Sequence, residues 1–253
     1  MADPCAGFHV GIQSGSFRGT KGIERLIRRL RQVEVSCIEL HPMHLGPESS
    51  ELEIAEALAL FESAGISVPS FGVIPLAPDA KRCRRVFEFA ERLEVEAICA
   101  DADPGAIEII ERLTEEFDIA VAIHAAGPGE RRSSLAAIRE AIATRGEGIG
   151  ICLDTGDLLR AGEDPVEAIR AAPERILGIH LKDVARAESG EWWDVVLGRG
   201  LLRVDDLLAA LSSFGFDGFI ALEYDGDPKT PIPAIRESLR VVRIAAKKIP
   251  QAR

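Results

Sequence analysis

Short apolar runs alternate from end to end with longer stretches in which apolar positions recur at helical spacing. The runs cover residues 8–13, 35–40, 66–73, 95–100, 119–124, 148–154, 175–181 and 218–223. Their length and their Val and Ile content predict strands. The segments between them, such as GIERLIRRLRQ, ELEIAEALALFESAG and AIEIIERLTEEF, predict amphipathic helices. Gly65 follows one of these as a C-cap, and AIRESLRVVRIAAKK supplies the last helix. Eight strand–helix pairs in 253 residues give about 32 residues per unit, the size of a (β/α)8 barrel. The fold expected is therefore α/β, a single (β/α)8 TIM barrel over residues 1–253. An open doubly wound sheet fits less well, because GIQSGSFRG after the first strand lacks GxGxxG. The long connection VARAESGEWWDVVLGRG, after the seventh strand, is the one candidate functional loop.

Most strand runs end on polar or ionisable residues: Gln13, Glu39, Asp101, His124, Asp154, His180 and Glu223. In a barrel these positions form the C-terminal face, where active sites sit. Two residues earlier, on the same side of each strand, stand Gly11, Cys37, Cys99, Ala122, Cys152, Gly178 and Ala221, all small. Between them come Ile12, Ile38, Ala100, Ile123, Leu153, Ile179 and Leu222. The alternation predicts mostly bulky residues turned out towards the helices and a small inward layer under a polar rim. Such a layer either leaves a pocket floor or simply lets the barrel close.

Four rim residues form a coherent metal set. His124, Asp154, His180 and Glu223 fall on the fifth to eighth strands, which are neighbours in a barrel, and share the inward register. Two imidazoles and two carboxylates suit a divalent metal such as Mn, Co, Zn, Fe or Mg. The net charge of −11 argues against a nucleic-acid partner, which needs Lys and Arg against phosphates. The five cysteines, Cys5, Cys37, Cys83, Cys99 and Cys152, are odd in number and contain no CxxC, so a disulfide framework or zinc ribbon is not expected. Cys37, Cys99 and Cys152 read as small buried hydrophobes. The first residues carry no basic, apolar leader, and no run approaches about 18 apolar residues, so a cytoplasmic protein off the membrane is expected.

Segments IELHPMHL, VAIHAAGPG, CLDTGDLLRAGEDPVEAIR, GIHLKDV and IALEYDGDP carry a resemblance over nearly the whole chain. They resemble the sugar phosphate isomerase/epimerase family of xylose-isomerase-like TIM barrels. The resemblance implies a divalent metal at the ends of strands five to eight. The ligands would be Asp154 from a DTGH-like segment, His180 from HLKD and the terminal Glu223, with His124 at a position commonly Glu. It implies a sugar or sugar-derivative substrate and proton abstraction α to a carbonyl through a metal-stabilised enediolate, with Glu223 as the base. Two-base epimerases of this group use two glutamates, of which only Glu223 is retained. A one-base isomerisation, or a β-elimination on an oxidised sugar, fits the retained groups at least as well. Two imidazoles of the family pattern are replaced, by Ala126 and by Asp157.

Lys182 shares the inward parity of His180 and is a candidate to reach a substrate oxygen, the alternative being a rim salt bridge with Asp183. Glu39, His44, Asp157 and Trp193 are the candidate substrate contacts, with His41 beside His44. Trp193, next to Trp192, either caps the pocket or packs the loop or a dimer interface. Arg199 is a turn residue or a phosphate contact. A barrel that binds a sugar-like ligand without turnover is the main rival, motivated by Ala126 and Asp157. An endonuclease-IV-like enzyme is disfavoured, because its three zinc ions need many histidines and the chain has five. The oligomeric state stays open between a monomer and a homo-oligomer.

Overall fold

Eight parallel strands close into a barrel in the computed structural model, which describes residue 5 and residues 7–125 and 134–249. They are β1 (His9–Gln13), β2 (Cys37–Leu40), β3 (Ser67–Leu76), β4 (Ala97–Ala102), β5 (Ala120–Ala125), β6 (Ile149–Asp154), β7 (Ile176–Leu181) and β10 (Phe219–Leu222). Each pairs with its neighbours in chain order, and β1 closes the ring against β10. The fold is thus the (β/α)8 barrel expected from the alternation. Two further strands, β8 (Asp183–Arg186) and β9 (Trp192–Val195), form a separate antiparallel hairpin after β7.

The outer layer consists of α1 (Ile23–Val33), α2 (Glu51–Ala64), α3 (Ala80–Arg92), α4 (Ile107–Phe117), α5 (Leu135–Ile142), α6 (Thr155–Ala161), α7 (Pro165–Ala171), α8 (Val204–Ser213) and α9 (Ile232–Ala246). Local chemistry fixes many of their ends. Ser50 and Glu53 form a capping box on α2, and Gly65 closes that helix in the left-handed region, φ 64°. Asp79 caps α3 and Asp154 caps α6. No helix among the described residues is long and apolar enough to cross a membrane.

Side chains alternate across the barrel wall. Ile12, Ile38, Ala100, Ile123, Leu153, Ile179 and Leu222 join the large core between strands and helices. Cys99, Ala122, Cys152 and Ala221 form a smaller cluster with Ala97 and Phe219. The Phe219 ring fills the space Gly178 leaves: a Cβ on Gly178 would lie 2.4 Å from its Cζ. The small-residue layer is therefore packed under the rim by the Phe219 ring, with Val73, Ala120 and Leu177 against it.

Three local features depart from the sequence expectation. β3 runs on to Leu76, with a register shift against β4 between Phe71 and Ile74. The β6 connection holds two short helices, parted by Gly162 in the left-handed region. The β7 connection is tied down by Asp183. Its carboxylate accepts from the backbone N–H groups of Val184, Gly198, Gly200 and Leu202, each at 2.9 Å.

Candidate active site

The C-terminal ends of β2, β5, β6, β7 and β10 bring ionisable side chains together at the barrel mouth. His180 lies at the centre and is fully buried. Its Nε2 is 2.8 Å from Glu39 Oε1, a contact between β7 and β2, 141 residues apart in sequence. Gln13 Nε2 donates to the same oxygen at 2.8 Å, and Ser70 Oγ donates to Glu39 Oε2 at 2.7 Å. Both Glu39 oxygens are thus engaged beneath the imidazole. The other ring nitrogen, Nδ1, is 3.1 Å from Glu223 Oε2, yet this buried atom has no hydrogen-bond partner.

Asp154 divides its two oxygens between structure and site. Oδ1 accepts the Asp157 N–H at 2.9 Å and so starts α6. Oδ2 faces the mouth, 3.7 Å from His124 Nε2 and 3.4 Å from Lys182 Nζ. The rings of His124 and His180 have centroids 5.0 Å apart. Ligating atoms of His124, Asp154 and His180 all lie within 4.8 Å of one another. Lys182 Nζ also lies 3.1 Å from Glu223 Oε1 and 2.9 Å from Asp225 Oδ2.

These contacts set the charges. Burial opposes ionisation of Asp154, but Lys182 and His124 hold its carboxyl down at about 2. Burial likewise opposes the Glu223 charge, and Lys182 and His180 overcome it, keeping the carboxyl well below its usual range. Desolvation works against the Lys182 ammonium, yet Asp154, Glu223 and Asp225 raise its pKa well above the ordinary value. Asp157 moves the other way: burial and the neighbouring Asp154 push its carboxyl up.

The remaining sequence candidates fall at different depths. Asp157 accepts from Arg160 Nη1 at 2.8 Å, and the second arm of Arg160 reaches Asp194 on β9 at 2.5 Å. His44 Nε2 is 3.0 Å from the Ser14 carbonyl, an interaction that fastens the turn after β2 to the segment after β1. His41 accepts from Met43 N–H at Nδ1, 3.1 Å, and burial together with His44 lowers its pKa. Trp193 lies on the hairpin, 46% exposed. Asp183 serves the hairpin connection, not the rim. Ala126 lies outside the described residues.

Several residues of the mouth were not singled out from the sequence. Asp225 accepts from Arg18 Nη1 at 2.9 Å, and its N–H donates to Asp194 Oδ2 at 2.9 Å. Arg18, Asp225, Asp194, Arg160 and Asp157 thereby form a continuous polar chain from the β1 connection to α6. Only Asp225 had a signal, its two-residue offset from Glu223.

A family model for the xylose isomerase-like TIM barrel matches residues 27–245. The chain belongs to that family. Among curated relatives, an inosose dehydratase of Lacticaseibacillus casei is 28% identical over 99 residues. The matched segment is 34% of this chain and spans about a third of that relative, 33%. Among solved structures, an uncharacterised protein of Parabacteroides distasonis is 27% identical, with TM-score 0.72, covering 92% of this chain and 97% of that one. The IolI protein with a bound zinc atom is 16% identical, with TM-score 0.76, covering 97% and 100%. At that identity the likeness is one of fold.

The residues present fit a divalent cation. A histidine with one ring nitrogen anchored by a carboxylate beneath it, and the other buried beside Glu223 without a hydrogen bond, is arranged as metal-binding histidines are. Asp154 Oδ2 and Glu223 add hard oxygen donors, and His124 a second imidazole, a mixture suited to Mn, Co, Zn or Mg.

Proposed function

We propose that this chain is a divalent-metal-dependent enzyme that moves a proton at the carbon beside the carbonyl of a sugar or sugar derivative. What carries the reading is His180, held by Glu39 at one ring nitrogen and turned at the other, 3.1 Å away, towards the Glu223 carboxylate without a hydrogen bond, at the barrel mouth. His124, Asp154, His180 and Glu223 would hold the cation. When bound, such a cation polarises a carbonyl and its neighbouring hydroxyl.

The side chains supply the rest. Glu223 is ionised by its cationic neighbours and is the base that removes the proton and can return it to the adjacent carbon. Lys182 offers its ammonium, 3.1 Å from Glu223, to a substrate oxygen. Glu39 orients His180, a positioning role in place of the substrate contact expected from the sequence. His44 holds its turn, again in place of a substrate contact. Asp157, through Arg160, borders the mouth on the α6 side, while Trp193 lies on the face of β9 opposite to Asp194 and is exposed.

One base favours isomerisation over two-base epimerisation. Glu39, the other glutamate under the rim, has both oxygens engaged. A second reading, loss of water from a keto-polyol, is favoured by the segment shared with an inosose dehydratase. There Glu223 takes the α-proton and passes it to the β-hydroxyl, which leaves as water as the carbon–carbon double bond forms.

The test is incubation with Mn2+ in deuterated water against a panel of aldoses, ketoses and inososes, read by NMR and mass spectrometry. Deuterium at the α-carbon of an isomerised product supports the first reading, and loss of water selects the second. Ligand binding with no exchange on any member overturns both in favour of a binding barrel.

A further inference from the structure

Lys182 occupies a prepared position. Gly156 makes room for its stem, since a Cβ there would meet Lys182 Cγ and Cδ at 2.8 Å. Thr155 Oγ1 accepts the Lys182 N–H at 2.9 Å and lies 2.6 Å from the Lys182 carbonyl, so the backbone is fixed as well. From there Nζ meets three carboxylates, those of Asp154, Glu223 and Asp225, at 3.4, 3.1 and 2.9 Å.

Two of the three belong to the donor set assigned above to a cation, and the third does not. A divalent ion and an ammonium sharing Asp154 and Glu223 would repel one another strongly in so buried a place. Asp225 lies further out, 44% exposed at its side chain, and is itself held by Arg18 and by Asp194. An ammonium that loses Asp154 and Glu223 therefore keeps its shortest contact.

We propose that Lys182 is the resident counter-ion of this site: it neutralises Asp154 and Glu223 until a divalent cation displaces it, and it then stays at the mouth on Asp225. The proposal rests on the metal-site reading above. It makes cation entry an exchange of charges, in which the incoming ion sets the ammonium free to face a substrate oxygen. It also means that the wild-type site binds metal more weakly than its donors allow.

The experiment is calorimetric titration of the full chain with MnCl2. Lys182→Met and Lys182→Gln are expected to bind Mn2+ tighter than wild type by about tenfold or more, because the competing charge is gone. Asp225→Asn removes the outer contact and should weaken Mn2+ binding by about threefold or more in the wild-type background, with little effect beside Lys182→Met. If wild type binds and neither Lys182 variant binds tighter, or if Asp225→Asn weakens both backgrounds equally, the exchange is refuted and the metal site stands. If no variant binds Mn2+, both readings fall together. Should the lysine variants not fold, a crystal of the wild type soaked in Mn2+ decides. Nζ out of reach of Asp154 and still on Asp225 supports the exchange, and Nζ unmoved refutes it.

Discussion

At the residue scale the site divides into side chains that meet a reactant and side chains that hold others in place. Glu223→Gln keeps size and one carbonyl oxygen but removes the proposed base. We expect it to lower turnover by about 10²-fold or more while retaining part of the metal binding, read by parallel Mn2+ titration and C–H exchange. Glu39→Gln is the complementary case. It leaves every proposed ligand intact but takes the anionic partner from His180, and should cost about 10–100-fold in Mn2+ affinity. Asp154 makes a pH prediction for the metal-free chain. A carboxyl held at about 2, against an ordinary 3.8, stabilises the fold fully above about pH 4 and loses that contribution as pH falls through its folded pKa. Asp154→Asn should therefore flatten that part of the acid limb in urea melts taken from pH 5 to pH 2. The parity of His124, Asp154, His180 and Glu223 was legible in the sequence because each ends a strand run. The Glu39–His180 contact was not, because nothing local couples residues on β2 and β7; only closure of the barrel brings them face to face.

At the scale of elements, periodicity was a good guide wherever a strand and its helix bury opposite faces. The hairpin of β8 and β9 was not legible because its strands are only four residues each, too short to show a period. Its anchor hid within a motif that otherwise suggests chemistry. Asp183 follows the candidate metal ligand His180 and the catalytic candidate Lys182, yet its oxygens are spent on four backbone N–H groups. Asp183→Asn turns an amide nitrogen towards two of those donors and removes the charge that strengthens the others. We expect a loss of about 3 kcal/mol in urea denaturation. A loss of activity with unchanged stability would show that Asp183 acts in the chemistry instead.

For the molecule as a whole, length and alternation were enough for the barrel, because eight strand–helix units leave few other closed arrangements. They could not foresee how the interior is filled. The small layer beneath the rim suggested a floor, but Phe219 comes from the next layer down and plugs it. The reactive space therefore lies above that ring, among charges and not in an apolar hollow. Among the described residues two donor groups, Cys99–Cys152–His180 and His124–Asp154–His180, share His180 and so can hold one cation between them; elemental analysis after Mn2+ loading and gel filtration should give about one Mn2+ per protomer. Three zinc ions per chain would point back to a nuclease-type centre.

The knot at Asp183 has an evolutionary corollary. The stretch from Val184 to Leu202 leaves and rejoins the barrel at one buried carboxylate, so both of its ends are clamped to a single point. Between those points the exposed turn of the hairpin, residues 187–191, is a cassette whose length can change without re-laying the barrel strands. The hairpin also touches the mouth, through Asp194 on Arg160 and Asp225. New ligand preferences would then accumulate in this graftable segment, while the barrel strands keep the polar cluster at the mouth unchanged.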